Sequence, residues 1–98
     1  MAAVERDPSI LKSGISDAYI ESVIGFNVKM RLTARNLSQT ALGEYLGVKR
    51  ATMSQKMTGK VAWSAVDLVR SAIFLDTDVE TLLDDSLMKQ LRGSGQGK

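Results

Sequence analysis

Arg50, Ala51, Ser54 and Gln55 are the residues of this chain best equipped for chemistry, and the chemistry they suit is recognition. A guanidinium fork matches the paired acceptors of guanine, a carboxamide matches the donor–acceptor pair of adenine, and a methyl such as that of Ala51 suits the methyl of thymine. The groups that do acid–base or nucleophilic work are missing. The 98 residues contain no histidine and no cysteine, which removes the commonest general base, the thiol nucleophile and the commonest metal ligands. No paired carboxylates fall in a recognisable cleft. An enzyme is not expected, and neither is a metal or a cofactor.

The elements that must position those four residues can be read from the flanking sequence. Residues 38–60, Ser-Gln-Thr-Ala-Leu-Gly-Glu-Tyr-Leu-Gly-Val-Lys-Arg-Ala-Thr-Met-Ser-Gln-Lys-Met-Thr-Gly-Lys, predict two short helices joined by a tight turn. Ser38 caps the first, with Leu37 and Leu42 at staple positions. Leu42, Tyr45 and Leu46 form its apolar face, and Gly47 ends it. The second runs from about Arg50 to Thr58, held by Met53 and Met57 and stopped by Gly59. Its apolar stripe is so narrow that most of its circumference must face something other than the core.

An earlier helix, capped by Ser16 or Asp17, carries Ile20, Val23, Ile24, Val28 and Leu32 to about Asn36, with a break at Gly25 in prospect. A fourth starts at Ser64, where Asp67 completes a capping box and Trp63 with Leu68 forms the staple. Val66, Leu68, Val69, Ala72, Ile73 and Leu75 make it a largely buried helix, with Trp63 in the core. A last helix starts near Thr77 or Asp78 and shows Val79, Leu82, Leu83, Leu87 and Leu91 on one side. The fold class is all-α, a compact bundle of about five helices containing a helix-turn-helix. Residues 1–15 form a flexible arm, 16–91 the domain and 92–98 a disordered tail.

Charge is unevenly spread. Lys29, Arg31, Arg35, Lys49, Arg50, Lys56 and Lys60 stand against a single acid, Glu44, between positions 29 and 60, and Asp76, Asp78, Glu80, Asp84 and Asp85 follow without a cation. A basic segment of this kind suits phosphate, whereas the acids form a solvated face turned away from it. Apolar runs of only a few residues are too short for a membrane span. The opening Met-Ala-Ala-Val-Glu-Arg-Asp-Pro has none of the features of a secretory signal, so a cytoplasmic location is expected.

The ordered set Leu-Ser-Gln at 37–39, Leu42, Gly43, Leu46-Gly-Val at 46–48, Met53, Ser54, Gly59 and the Trp63–Leu82 stretch resembles the lambda-repressor and Cro-like helix-turn-helix family. The Ser-Gln-Lys-Met-Thr-Gly-Lys run followed by Trp-Ser is similar to versions found in actinobacteria and their phages, among immunity repressors and Cro proteins. The resemblance covers about Asn27 to Leu83. It implies a sequence-specific regulator of transcription that binds double-stranded DNA, its recognition helix at about 50–58 in the major groove. Arg50, Ala51, Ser54 and Gln55 then face bases; Gln39, Thr40, Lys49, Thr58 and Lys60 lie near phosphates. Arg35 is a further candidate contact, as is Lys56, whose stem crosses the core edge with its charged head outward. Gly43 stands where the family usually has alanine, Lys49 where it has a hydroxyl cap, and Asp76 where it has glycine. The apolar face of 79–91 is a candidate homodimer surface, which sets half-sites about 34 Å apart. A rival reading is an antitoxin or adaptor that uses the same fold to bind protein.

Overall fold

A computed structural model describes residues 16–96, and among them every regular element is an α-helix. The arm at 1–15 and residues 97 and 98 lie outside the described residues. The helices are α1 (Asp17–Ala34), α2 (Gln39–Leu46), α3 (Arg50–Met57), α4 (Ala65–Phe74), α5 (Val79–Leu83) and α6 (Ser86–Gln96).

Ser16 caps α1 by accepting the Tyr19 amide at 3.0 Å, and Val23, Ile24, Val28 and Leu32 are buried along one side. Ile20 is 39% exposed and lies outside this stripe. The helix does not break at Gly25. A Cβ there would stand 2.5 Å from the Met57 carbonyl oxygen, so glycine lets the backbone of α1 meet the end of α3 directly.

Four successive helices close in one manner. The amides of Leu37, Val48, Lys60 and Thr77 reach back to the carbonyls of Leu32, Gly43, Gln55 and Ala72 at 2.8–3.0 Å, and the amides of Asn36, Gly47, Gly59 and Asp76 return to Thr33, Glu44, Lys56 and Ile73. This paired pattern places a left-handed residue just past each helix. Gly47 and Gly59 take it without cost; Asn36 and Asp76 also adopt it, each at φ 57°, as the short polar side chains of Asn and Asp allow.

The core gathers Val28, Leu32, Leu42, Met53, Trp63, Leu75 and Leu82 from five segments. Full burial of such a side chain contributes roughly 1.5–3 kcal/mol. Three expectations about the later helices need correction. Helix α4 is not largely buried: Ala72 faces inward, with Leu68 packed against the core, but Val66, Val69 and Ile73 are 61%, 50% and 63% exposed. The last helix is two, because Asn27, buried in α1, donates its side-chain amide to the carbonyls of Leu82 and Asp84, both at 2.8 Å. Asp84 then accepts the Ser86 amide at 2.9 Å and starts α6 in a new direction. That helix runs to Gln96, so residues 92–96 are helical where composition suggested a tail.

Candidate nucleic-acid interface

Helix α3 is positioned by what touches its inner side. Gly43 of α2 is buried, and a Cβ on it would sit 3.3 Å from Met53 Cγ, so the missing methyl lets α3 lie close across α2. Three residues, Gly47, Val48 and Lys49, connect the two helices.

The other end of α3 is held by a buried ion pair. Lys56 Nζ lies 2.6 Å from Asp67 Oδ2 and donates to the Ala62 carbonyl at 2.9 Å, with the two side chains only 7% and 15% exposed. It also stands 5.9 Å from the centre of the Trp63 ring. Asp67 Oδ2 accepts the Ser64 amide in the capping box of α4, while Trp63 donates from Nε1 to the Lys56 carbonyl at 3.0 Å and from its amide to Glu21. Burial pushes the Asp67 carboxyl up. The Lys56 ammonium and the Ser64 amide outweigh it and hold the group below its ordinary range. Lys56 is therefore not a candidate DNA contact: its head points into the junction of α3 with α4, the reverse of the outward path expected from its long stem.

What remains outward on α3 is a uniform face. Ala51, Ser54, Gln55 and Thr58 follow the i, i+3, i+4, i+7 spacing of one helical side, with Arg50 at its edge, and all five are exposed. Among the described residues no hydrogen bond or ion pair engages the side chains of Arg50, Ser54 or Gln55; Thr58 donates its hydroxyl to the Gln55 carbonyl. Eight residues make α3 about 12 Å long, close to the width of a DNA major groove.

The start of α3 is open. Lys49 is its N-cap and supplies no side-chain bond. The first helical hydrogen bond runs from the Met53 amide to Lys49, and among the described residues the amides of Arg50, Ala51 and Thr52 find no partner at a helix end suited to phosphate. Gln39, Thr40 and Arg50 line one cleft of about 190 Å³ between α2 and α3. Glu44 lies on the same rim, an acid that sequence reasoning gave no role. Lys49 and Lys60 are exposed at opposite ends of α3.

Comparisons with protein-family models, curated proteins and solved structures return no match.

Arg35 is not brought to the α3 face by any contact. Its guanidinium approaches the Asp76 carboxylate at 4.0 Å, past the end of α4. The acidic run is exposed apart from the half-buried Asp85, as a solvated face is, and its carboxylates also cap and brace the last helices. Asp78 caps α5 through the Thr81 amide at 2.8 Å and holds the Thr81 hydroxyl at 2.7 Å; Asp85 accepts the Tyr19 hydroxyl at 2.6 Å and pairs with Lys89 at 3.4 Å. These bonds, led by the Thr81, Ser86 and Tyr19 hydroxyls respectively, hold Asp78, Asp84 and Asp85 below the usual carboxylate range.

Proposed function

We propose that the protein is a sequence-specific double-stranded DNA-binding regulator of transcription, in the manner of a phage repressor or Cro-like switch, and that α3 enters the major groove. The observation that carries this reading is the outward side of α3. Five exposed side chains, including a guanidinium and a carboxamide without partners among the described residues, stand on a helix whose N-cap side chain makes no capping bond. Arg50, Ala51, Ser54 and Gln55 face base edges. Gln39, Thr40, Lys49, Thr58 and Lys60 hold the backbone and fix register, as phosphate contacts do. Regulation then needs no catalysis, since an occupied operator excludes or recruits polymerase. Among the described residues no helix is long and apolar enough to cross a membrane.

Selection of bound duplexes from a random library, at stated salt, tests the proposal with wild type and Gln55→Ala. The variant should relax preference at one or two base pairs and lose about 1–3 kcal/mol on the selected site. An unchanged sequence profile refutes base reading by Gln55, and no enrichment of any sequence by the wild type refutes the function.

A further inference from the structure

Helix α4 is apolar on two opposite sides. Ala72 is buried and Leu68 packs on the core, while Val66, Val69 and Ile73 project outward at 61%, 50% and 63% exposure. Their i, i+3, i+7 spacing puts the three on a single stripe. A surface helix ordinarily shows polar residues opposite its core side, and one that is apolar all round is covered on both. Arg70, one turn from both Val66 and Ile73, is exposed and has no carboxylate partner among the described residues.

The molecule carries a second stripe of this kind. Met88 of α6 is taken up by the core, which leaves Leu87 and Leu91 of the same helix one turn apart at 40% and 47% exposure, with Leu83 at 45% at the end of α5. Leu87 shares a cleft between α1 and α6 with Met30, Arg31 and Asp84. Asp84 uses Oδ1 for both of its bonds to Ser86, and among the described residues Oδ2 makes no hydrogen bond or ion pair. Arg31 lines the same cleft, and Lys89 is engaged by Asp85.

We propose that copies of this chain associate head to tail, the Val66–Val69–Ile73 stripe of one seating on the Leu87–Leu91 stripe of α6 of the next, with Arg70 meeting Asp84. Charge decides between this and the symmetric alternatives. Antiparallel pairing of α4 with α4 brings two Arg70 side chains onto the same edge, and pairing the leucine stripe with itself leaves α4 uncovered. The crossed arrangement covers both stripes and gives the lone cation a carboxylate. Such a contact does not close on itself, so copies add in a row. A contact of about one helix per partner belongs with small, transient interfaces. The proposal holds without the DNA reading; combined with it, neighbouring copies on one duplex meet at effective concentrations on the order of millimolar, and operator occupancy becomes cooperative.

Sedimentation of the full chain without DNA, up to millimolar concentration, tests the contact with Ile73→Asp and Leu87→Asp, both at exposed positions. Wild type should gain mass with concentration and pass beyond a dimer. Each variant alone should stay monomeric, because each lacks one of the two stripes. An equimolar mixture should give a one-to-one dimer and nothing larger, since one intact stripe of each kind remains. A wild type that is monomeric throughout overturns the proposal, as does either variant associating alone like the wild type. Thermal melts establish that the variants fold; Val69→Lys and Leu91→Lys repeat the experiment if an aspartate disturbs folding. Because no DNA is present, failure here leaves the selection experiment on Gln55 untouched, and the converse also holds.

Discussion

Replacing Lys56 with methionine separates two roles that one lysine on a short basic helix could play. In the structure the ammonium is buried, 2.6 Å from Asp67 and 2.9 Å from the Ala62 carbonyl. Methionine keeps the stem and the packing on Trp63 but removes the charge. The Asp67 carboxylate, 15% exposed, keeps only its bond from Ser64, and the Ala62 carbonyl loses a donor. Breaking a buried pair from one side costs about 3–5 kcal/mol; because Asp67 retains the Ser64 amide, we expect the lower end, about 3 kcal/mol. For a domain of this size that lowers the melting temperature by on the order of 15 °C. Lys56→Met combined with Asp67→Asn should recover part of the loss, and the double-mutant cycle reads the coupling. Acid provides an independent check. The folded carboxyl of Asp67 titrates below its unfolded value, so its contribution is complete above the unfolded pKa and is lost as pH falls through the folded one. Wild-type stability should accordingly drop below about pH 4, and Asp67→Asn should flatten that drop in part, with Asp78, Asp84 and Asp85 supplying the rest. Urea unfolding at several pH values measures all of this. A Lys56→Met protein within about 0.5 kcal/mol of wild type, the range of ordinary surface substitutions, but with weakened DNA affinity and a shallower salt dependence, would refute the burial argument and return Lys56 to the surface.

Three further outcomes follow from single contacts. Gly25→Ala drives a methyl into the Met57 carbonyl oxygen at 2.5 Å and, after the helix-propensity gain of alanine, should cost about 2 kcal/mol by denaturant unfolding; a gain in stability would mean that α1 and α3 do not meet there. Ser71 is buried with its hydroxyl unpartnered in the core, so Ser71→Ala should raise stability by about 1 kcal/mol, and a loss of that size would reveal a bond to the hydroxyl. Lys49→Ser supplies the N-cap that α3 lacks, so stability should rise by about 1 kcal/mol while the salt slope of DNA binding shrinks by about 0.9; the phosphate role fails if affinity and slope stay unchanged.

Much of the fold was legible because its signals are local. Ser16, Ser38 and the Ser64–Asp67 capping box act within three residues of themselves, and Gly47 and Gly59 act on the turn they end. Where the fold departs from the sequence reading, the cause lies far away in the chain. Asn27 breaks the last helix from 55 residues away by taking the Leu82 carbonyl, and no periodicity in 77–91 carries that information. Gly25 read as a weak point in a helix because the atom that needs it, the Met57 carbonyl oxygen, belongs to another element. Asn36 and Asp76 were harder to read than the glycines, since left-handed backbone is optional for them and depends on the turn that surrounds them.

The candidate site followed the same division. The outward residues of α3 could be named from a narrow apolar stripe, a property of eight consecutive residues. The charge argument could not be settled at that range. Of the seven cations between positions 29 and 60, Lys56 is matched by Asp67 and Arg35 lies 4.0 Å from Asp76, so two carboxylates at or just past α4 draw charge away from any phosphate. Lys29, Arg31, Lys49, Arg50 and Lys60 remain, and the last three flank or open α3. A count of basic residues thus overstates the electropositive surface, while their arrangement sharpens it. Lys56, inside the bundle, is spent on holding α3 to α4, whereas Lys49, Arg50 and Lys60 stand at the ends of α3, whose outward guanidinium and carboxamide have no partner among the described residues.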